Sequence, residues 1–135
     1  MGIIGALNDH TAMHIQTTPN QPFSVSHYDQ QGVIVNQQKY NQSVLITSSD
    51  VQILDLTAQS LKNIALADDL NIKALNFELL LIGGENLNPL SISYELKQHL
   101  YEQGVSSEIM QTGAACRTYN ILLSEDRPCA LMLIL

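Results

Sequence analysis

Two continuous apolar runs, with helix patterns between them, constrain this chain more than any other feature. The first is Phe77-Glu-Leu-Leu-Leu-Ile82 and the second is Cys129-Ala-Leu-Met-Leu-Ile-Leu135. Runs without alternation suit strands covered on both faces, as the strands of a parallel sheet are. The first run closes a strand read over residues 74–82, which Gly83-Gly84 ends. Residues 89–93 then open a helix, with Leu96, Leu100 and Tyr94 facing inward and Gly104 as its stop. Residues 105–110 alternate as a strand does. Thr112 and Gly113 start a second helix, whose body is residues 114–123. The order β-α-β-α-β favours parallel strands joined by right-handed crossovers.

The first half reads differently. Phe23-Ser-Val-Ser-His27 alternates apolar and polar residues, and Asp29-Gln-Gln-Gly32 is a turn. Residues 33–36 and 40–47 form a hairpin joined at Gln37-Gln38. Asp55 or Thr57 caps a helix that ends near Asn71, with Leu61, Ile64 and Ala65 as its apolar face. The expected fold class is α/β: a mixed sheet with an antiparallel N-terminal hairpin, a C-terminal β-α-β-α-β parallel part, and helices packed on the sheet. Residues 1–12 are expected to be a flexible extension, with Met13 as an alternative start. Residues 13–135 are expected to form a single domain. A chain of 135 residues with 45% hydrophobic content supports one core.

Charge and cysteine content narrow the function classes. A net charge of −7 with only six Lys and Arg argues against nucleic acid, which needs clustered cations. Cys116 and Cys129 make neither a disulfide framework nor a zinc pattern, so reduced, cytoplasmic thiols are expected. No signal peptide is read at the N-terminus, and the final apolar run is too short to span a bilayer. Asp9, His10 and His14 would supply metal donors, but they imply no second shell, and coincidence is the better reading. No metal and no cofactor is expected. Gly83-Gly84-Glu85 follows a strand but matches neither phosphate-loop spacing; its glycines are read as the chain's exit from the sheet.

The segment richest in chemistry is Thr112-Gly-Ala-Ala-Cys-Arg-Thr-Tyr-Asn-Ile-Leu-Leu-Ser-Glu125. A helix start exposes unpaired N–H groups and partial positive charge. Gly113 clears the approach, Arg117 adds a charged fork, and Asn120 lies one turn on. Thr112, Gly113, Arg117 and Asn120 therefore make a hypothetical anion site for a carboxylate or phosphate. The plainer alternative is that Thr112 caps the helix, Arg117 pairs with a carboxylate, and Tyr119 and Asn120 bridge buried backbone groups. Cys116 is a candidate reactive thiol near a helix N-terminus. No histidine is spaced to activate it, so a small buried side chain is the favoured reading. No catalytic residue is assigned.

Residues 112–125, followed by Arg127, resemble the signature of a family of small bacterial and archaeal proteins, most of them uncharacterised. That family also contains the mitochondrial respiratory complex I assembly factor 3. The resemblance extends to Leu79-Leu-Leu-Ile-Gly83, to Gly104-Val-Ser-Ser-Glu-Ile-Met110 and to Gly32-Val-Ile-Val-Asn36 with Tyr40 and Ser43-Val-Leu-Ile-Thr47. It runs from about Phe23 to the C-terminus. Gly83-Gly84-Glu85 departs from the family's Gly-x-Gly, Asn36-Gln37 departs from its Asn-Gly, and its tryptophan is missing. The resemblance implies a compact α/β domain and no established enzymatic activity. The expected function is thus a non-enzymatic protein-interaction or assembly-factor-like module. Its partner is an unknown protein or a second copy, reached through a hairpin edge or an apolar patch. The alternative is a binder of, or enzyme acting on, a small anionic ligand at the Thr112-Gly113 turn.

Overall fold

The computed structural model describes residues 13–14 and 23–135; the side chains of Met13, His14, Lys73 and Ala74 fall outside that description. The expected extension over residues 1–12 and the side chains of Asp9, His10 and His14 lie outside the described residues. The elements divide between two sheets. The first is antiparallel and runs β1 (Met13–His14), β2 (Val25–Asp29), β3 (Gly32–Val35), β4 (Gln38–Tyr40) in chain order. The second holds β5 (Val44–Ile46), β6 (Val51–Ile53), β7 (Leu79–Gly84), β8 (Ser106–Met110) and β9 (Cys129–Ile134), in the order β6-β5-β9-β7-β8. Both β8 and β9 lie parallel to β7, while β5 lies antiparallel to β9. The mixed α/β architecture read from the sequence is the one observed.

The apolar runs take the positions their pattern demands. β7 and β9 are neighbours at the middle of the second sheet, and Leu80, Leu81, Ile82, Leu131, Met132 and Leu133 are all buried. One face packs Leu80, Ile82 and Met132 against Leu61, Leu70, Leu96 and Leu100. The other packs Leu81, Leu131 and Leu133 against helix residues Ala115, Cys116, Tyr119 and Leu123 and against Val25, Val33 and Val35 of the first sheet. The second sheet is therefore the middle layer, which is why its central strands β7 and β9 do not alternate.

Four short elements and two longer helices connect the strands among the described residues. Where one helix was expected between Thr57 and Asn71, the chain makes a 3-10 turn (Ala58–Lys62), then α1 (Leu66–Asp69) and α2 (Ile72–Leu75). Asparagines interrupt it. Asn63 is extended and its side chain accepts from the Ala65 N–H; Asn71 is left-handed at φ 49°. Short polar side chains offer the backbone such local alternatives to helix. Consequently Leu61 is buried but Ile64 is 48% exposed. Asn76, also left-handed, closes α2, so β7 begins at Leu79 rather than Ala74. It includes Gly83 and Gly84 and so ends two residues after Ile82.

Two further boundaries move. The stretch 40–47 is not one strand: β4 belongs to the first sheet and β5 to the second. The hairpin turn falls at Asn36-Gln37, at φ 52° and 67°, one residue before its expected place. After β7 a 3-10 turn (Pro89–Ser91) precedes α3 (Tyr94–Glu102), whose cap is Ser93, accepting from the Leu96 N–H. Leu96 and Leu100 face inward as expected, but Tyr94 is 74% exposed. Gly104 follows α3 at φ 87°, a conformation that glycine takes without the Cβ clash. The long helix α4 spans Thr112–Ser124, with Gln111 and not Thr112 at the capping position and no side-chain cap bond.

Candidate functional site

Helix α4 is first a clamp. The Asn120 amide is buried and accepts from the Val25 N–H at 2.9 Å while donating to the Val25 carbonyl at 2.8 Å. One side chain thus does for Val25 what a neighbouring strand would do. One residue earlier, the Tyr119 hydroxyl donates to the Phe23 carbonyl at 3.1 Å. Adjacent positions on α4 so fasten the start of β2 and bind the first sheet to the second layer. This is the bridging role that the residue types allowed.

The N-terminal end of α4 opens on a cleft of about 570 Å³, lined by residues that include Tyr28, Asp29, Glu85, Thr112 and Ile134. It lies beyond the C-terminal ends of β7 and β9, where open α/β sheets commonly bind ligands. Thr112 lines this cleft and is buried. Gly113 is buried too, but its bare face is not open: a β-carbon there would strike the Tyr28 hydroxyl. The glycine makes room for an aromatic ring of the same chain. Arg117 is exposed and does not line the cleft. Its Nη1 donates to the Tyr28 hydroxyl at 3.5 Å, and it forms no ion pair with a described residue. Asn120 is committed to Val25. The four residues named for an anion therefore do not converge on one void, and the cleft carries two carboxylates, Asp29 and Glu85.

Cys116 is fully buried beneath α4. Burial pushes its thiol up to about 12, and the nearby Arg117 guanidinium offsets only part of that. A buried thiol in apolar surroundings is inert, and only the thiolate is a nucleophile. The burial agrees with the reading of Cys116 as a small packed side chain and lends no support to a reactive thiol. Cys129 behaves alike, pushed up to about 11 by burial. Each folded value lies above the ordinary 9.0, so the native state keeps its protons longer than the unfolded chain. The stabilisation is full below pH 9.0 and is lost as pH climbs through about 12. Alkaline unfolding should steepen by about 1.4 kcal/mol per pH unit on account of Cys116. Cys116→Ala should flatten the curve, as urea titrations between neutral and alkaline pH would reveal. An unchanged slope would mean the thiol ionises as readily folded as unfolded.

A second concavity lies on the opposite layer. The outer face of α3 and the edge strand β8 enclose a groove of about 480 Å³, lined by residues that include Tyr94, Lys97, Tyr101, Ser107 and Glu108. Tyr94 and Tyr101 are 74% and 66% exposed. Lys97 Nζ donates to the Ser107 carbonyl at 3.2 Å, and the buried Ser107 hydroxyl has no partner among the described residues. Sequence reasoning missed this groove. Its signal was there: Tyr94, Lys97, Gln98 and Tyr101 share a helical face opposite Leu96 and Leu100. Among the described residues no group of His, Cys, Asp and Glu could hold a metal, and no helix is long and apolar enough to cross a membrane.

A three-layer α/β domain, with a clamp on one side of its mixed sheet and an open edge on the other, is the class that these features define. The chain belongs to a protein family of unknown function, DUF498/DUF598, whose model matches residues 25–134. Among solved structures it is similar to an outer membrane protein from Bartonella henselae, at 30% identity and a TM-score of 0.68, covering 85% of this chain and 98% of that one. A Bordetella parapertussis protein is 27% identical with a TM-score of 0.69, covering 87% and 98%. A Xanthomonas campestris protein is 26% identical with a TM-score of 0.64, covering 95% and 90%. No curated protein matches this chain.

Proposed function

We propose that this chain is a non-enzymatic interaction module, assembly-factor-like in its mode of action, that engages another protein through the α3–β8 side of its second sheet. The observation that carries the reading is the pairing of an open sheet edge with two exposed tyrosines on one groove. Unpaired edge groups are a ready template for another chain, and tyrosine is enriched where proteins meet. The hairpin edge first considered, β4, offers only three residues, whereas β8 offers five. The resemblance of residues 112–125 to the family of the mitochondrial assembly factor supports the same reading. Action in the cytoplasm belongs to it as well, supported by two free, buried cysteines.

A second reading keeps a small anionic ligand at the start of α4, with Thr112, Gly113 and Arg117 as contacts and Asn120 as a positioning residue. Its specific support is the exposed Arg117 guanidinium, without an ion pair among the described residues. The two Asp29 and Glu85 carboxylates beside Thr112 weigh against it. A thermal-shift screen with phosphates, carboxylates and nucleotides separates the readings, because a ligand that binds only the folded state raises the melting temperature. The interaction reading expects a flat panel for wild type and for Arg117→Ala. A shift present in wild type and lost in Arg117→Ala would replace it with the anion site.

A further inference from the structure

Among the described residues β8 is the last strand of its sheet, and its outer edge can be read group by group. The Ser106 N–H donates to the Glu78 carbonyl, and Ser106 lies opposite Leu79 in the parallel ladder, so Ser106 directs its backbone toward β7. Strand groups alternate with period two. Ser107 and Ile109 therefore turn their N–H and C=O away from the sheet. The Lys97 amine on the Ser107 carbonyl agrees with this, and the Val105 N–H already donates to the Leu100 carbonyl. What remains is a two-residue docking edge. A lysine covers one of its acceptors, as edge strands often arrange.

Side chains alternate along the same edge. Ser107 and Ile109 stand opposite Leu80 and Ile82, on the face that packs toward α3. Glu108 stands on the other face and is exposed. A sixth strand would thus meet two different surfaces. One residue would come beside the Glu108 carboxylate, and its two neighbours would lie over the groove of Tyr94 and Tyr101.

Resting on the interaction reading above, we propose that β8 takes an extended segment of another protein as a sixth strand, with lysine or arginine opposite Glu108 and apolar residues on either side. Charge selects against a second copy of this chain. The two-fold register that pairs Ser107 with Ile109 of a second copy sets the two Glu108 side chains directly opposite, where like charges destabilise a ladder. Each chain also carries a net charge of −7. A cationic segment meets the reverse condition on both counts. Its N–H displaces the Lys97 amine from the Ser107 carbonyl, and its apolar residues bury the tyrosine rings.

The test uses the full chain, labelled with nitrogen-15, and two end-capped peptides, Thr-Val-Lys-Val-Thr and Thr-Val-Glu-Val-Thr. Amide shifts should concentrate at Ser107 and Ile109, and the lysine peptide should bind about five-fold or more tightly than the glutamate peptide. Glu108→Lys, on an exposed side chain, should reverse that preference. Equal binding of both peptides, or no shift with either, would overturn the proposal. Shifts confined to β4 or β6 would overturn it while leaving an interaction module in place. Sedimentation of the protein alone supplies a further arm: a dimer abolished by Ser107→Pro would show that a second copy occupies the edge. Capture of a partner elsewhere on the surface would sustain the broader reading after any of these failures.

Discussion

Replacing Asn120 by alanine should lower the stability of the folded chain by about 4 kcal/mol, since two buried backbone groups are orphaned at roughly 1–3 kcal/mol each. The N–H and carbonyl of Val25 both depend on that one amide, and neither can reach water while β2 stays in place. A loss of this size is a large part of the 5–15 kcal/mol or so that holds a small domain together. Asn120→Asp should do comparable damage. It retains an acceptor for the Val25 N–H but sets a carboxylate oxygen against the Val25 carbonyl. Tyr119→Phe loses one bond, that to Phe23, and should cost nearer 1 kcal/mol. Urea unfolding of the three variants tests this order. An Asn120→Ala protein as stable as wild type would mean that β2 is held by something other than α4.

The second large effect is expected at Gly83. Alanine in place of a strand glycine ordinarily does no harm, because glycine weakens a strand interior. Here an added β-carbon would lie 2.7 Å from the Ala115 β-carbon and 2.8 Å from Leu133 Cδ2. Neither neighbour has room, since both are fully buried. Gly83→Ala should therefore cost roughly 1–3 kcal/mol, the usual range for overpacking a core. Ala115 supplies one of the two close contacts, so Ala115→Gly in the same chain should return part of the loss. The double variant should then be more stable than the sum of the two single changes allows. Strict additivity would show that α4 does not press on β7 at this point.

What the sequence disclosed follows from which forces act locally. The apolar runs of β7 and β9 announced a covered parallel sheet because burial on both faces leaves no alternation to read. Leu96, Leu100 and Gly104 outlined α3 because helical period and a left-handed stop are local properties. The helix expected over residues 57–71 broke at Asn63 and Asn71, whose side-chain and backbone alternatives compete with a helix that tertiary contact does not enforce. The split of residues 40–47 between two sheets was illegible, because strand partners are set by distant residues such as Leu131 and Leu133.

The site divides in the same way. The chemistry of residues 112–125 stood out as a collection of polar groups on a packing helix, and Tyr119 and Asn120 do bridge buried backbone. Gly113 was read as space for a ligand, yet the space belongs to Tyr28, a residue 85 positions away whose approach no local pattern records. The groove at β8 was hidden for a related reason. Exposed tyrosines on α3 acquire meaning only when β8 proves to be an edge, and strand order is a property of the whole sheet.

If this domain works by holding another protein, site-specific photo-crosslinking inside the cell should capture that protein at the α3–β8 groove. The crosslinking residue would be placed in turn at Ile53, Leu90, Tyr101 and Ile121, four exposed side chains spread over the surface. The expected result is a discrete adduct from position 101, with the captured protein copurifying at a fixed ratio and little product from the other three. The absence of any adduct at all four positions, with the protein folded and abundant, would contradict the interaction-module account.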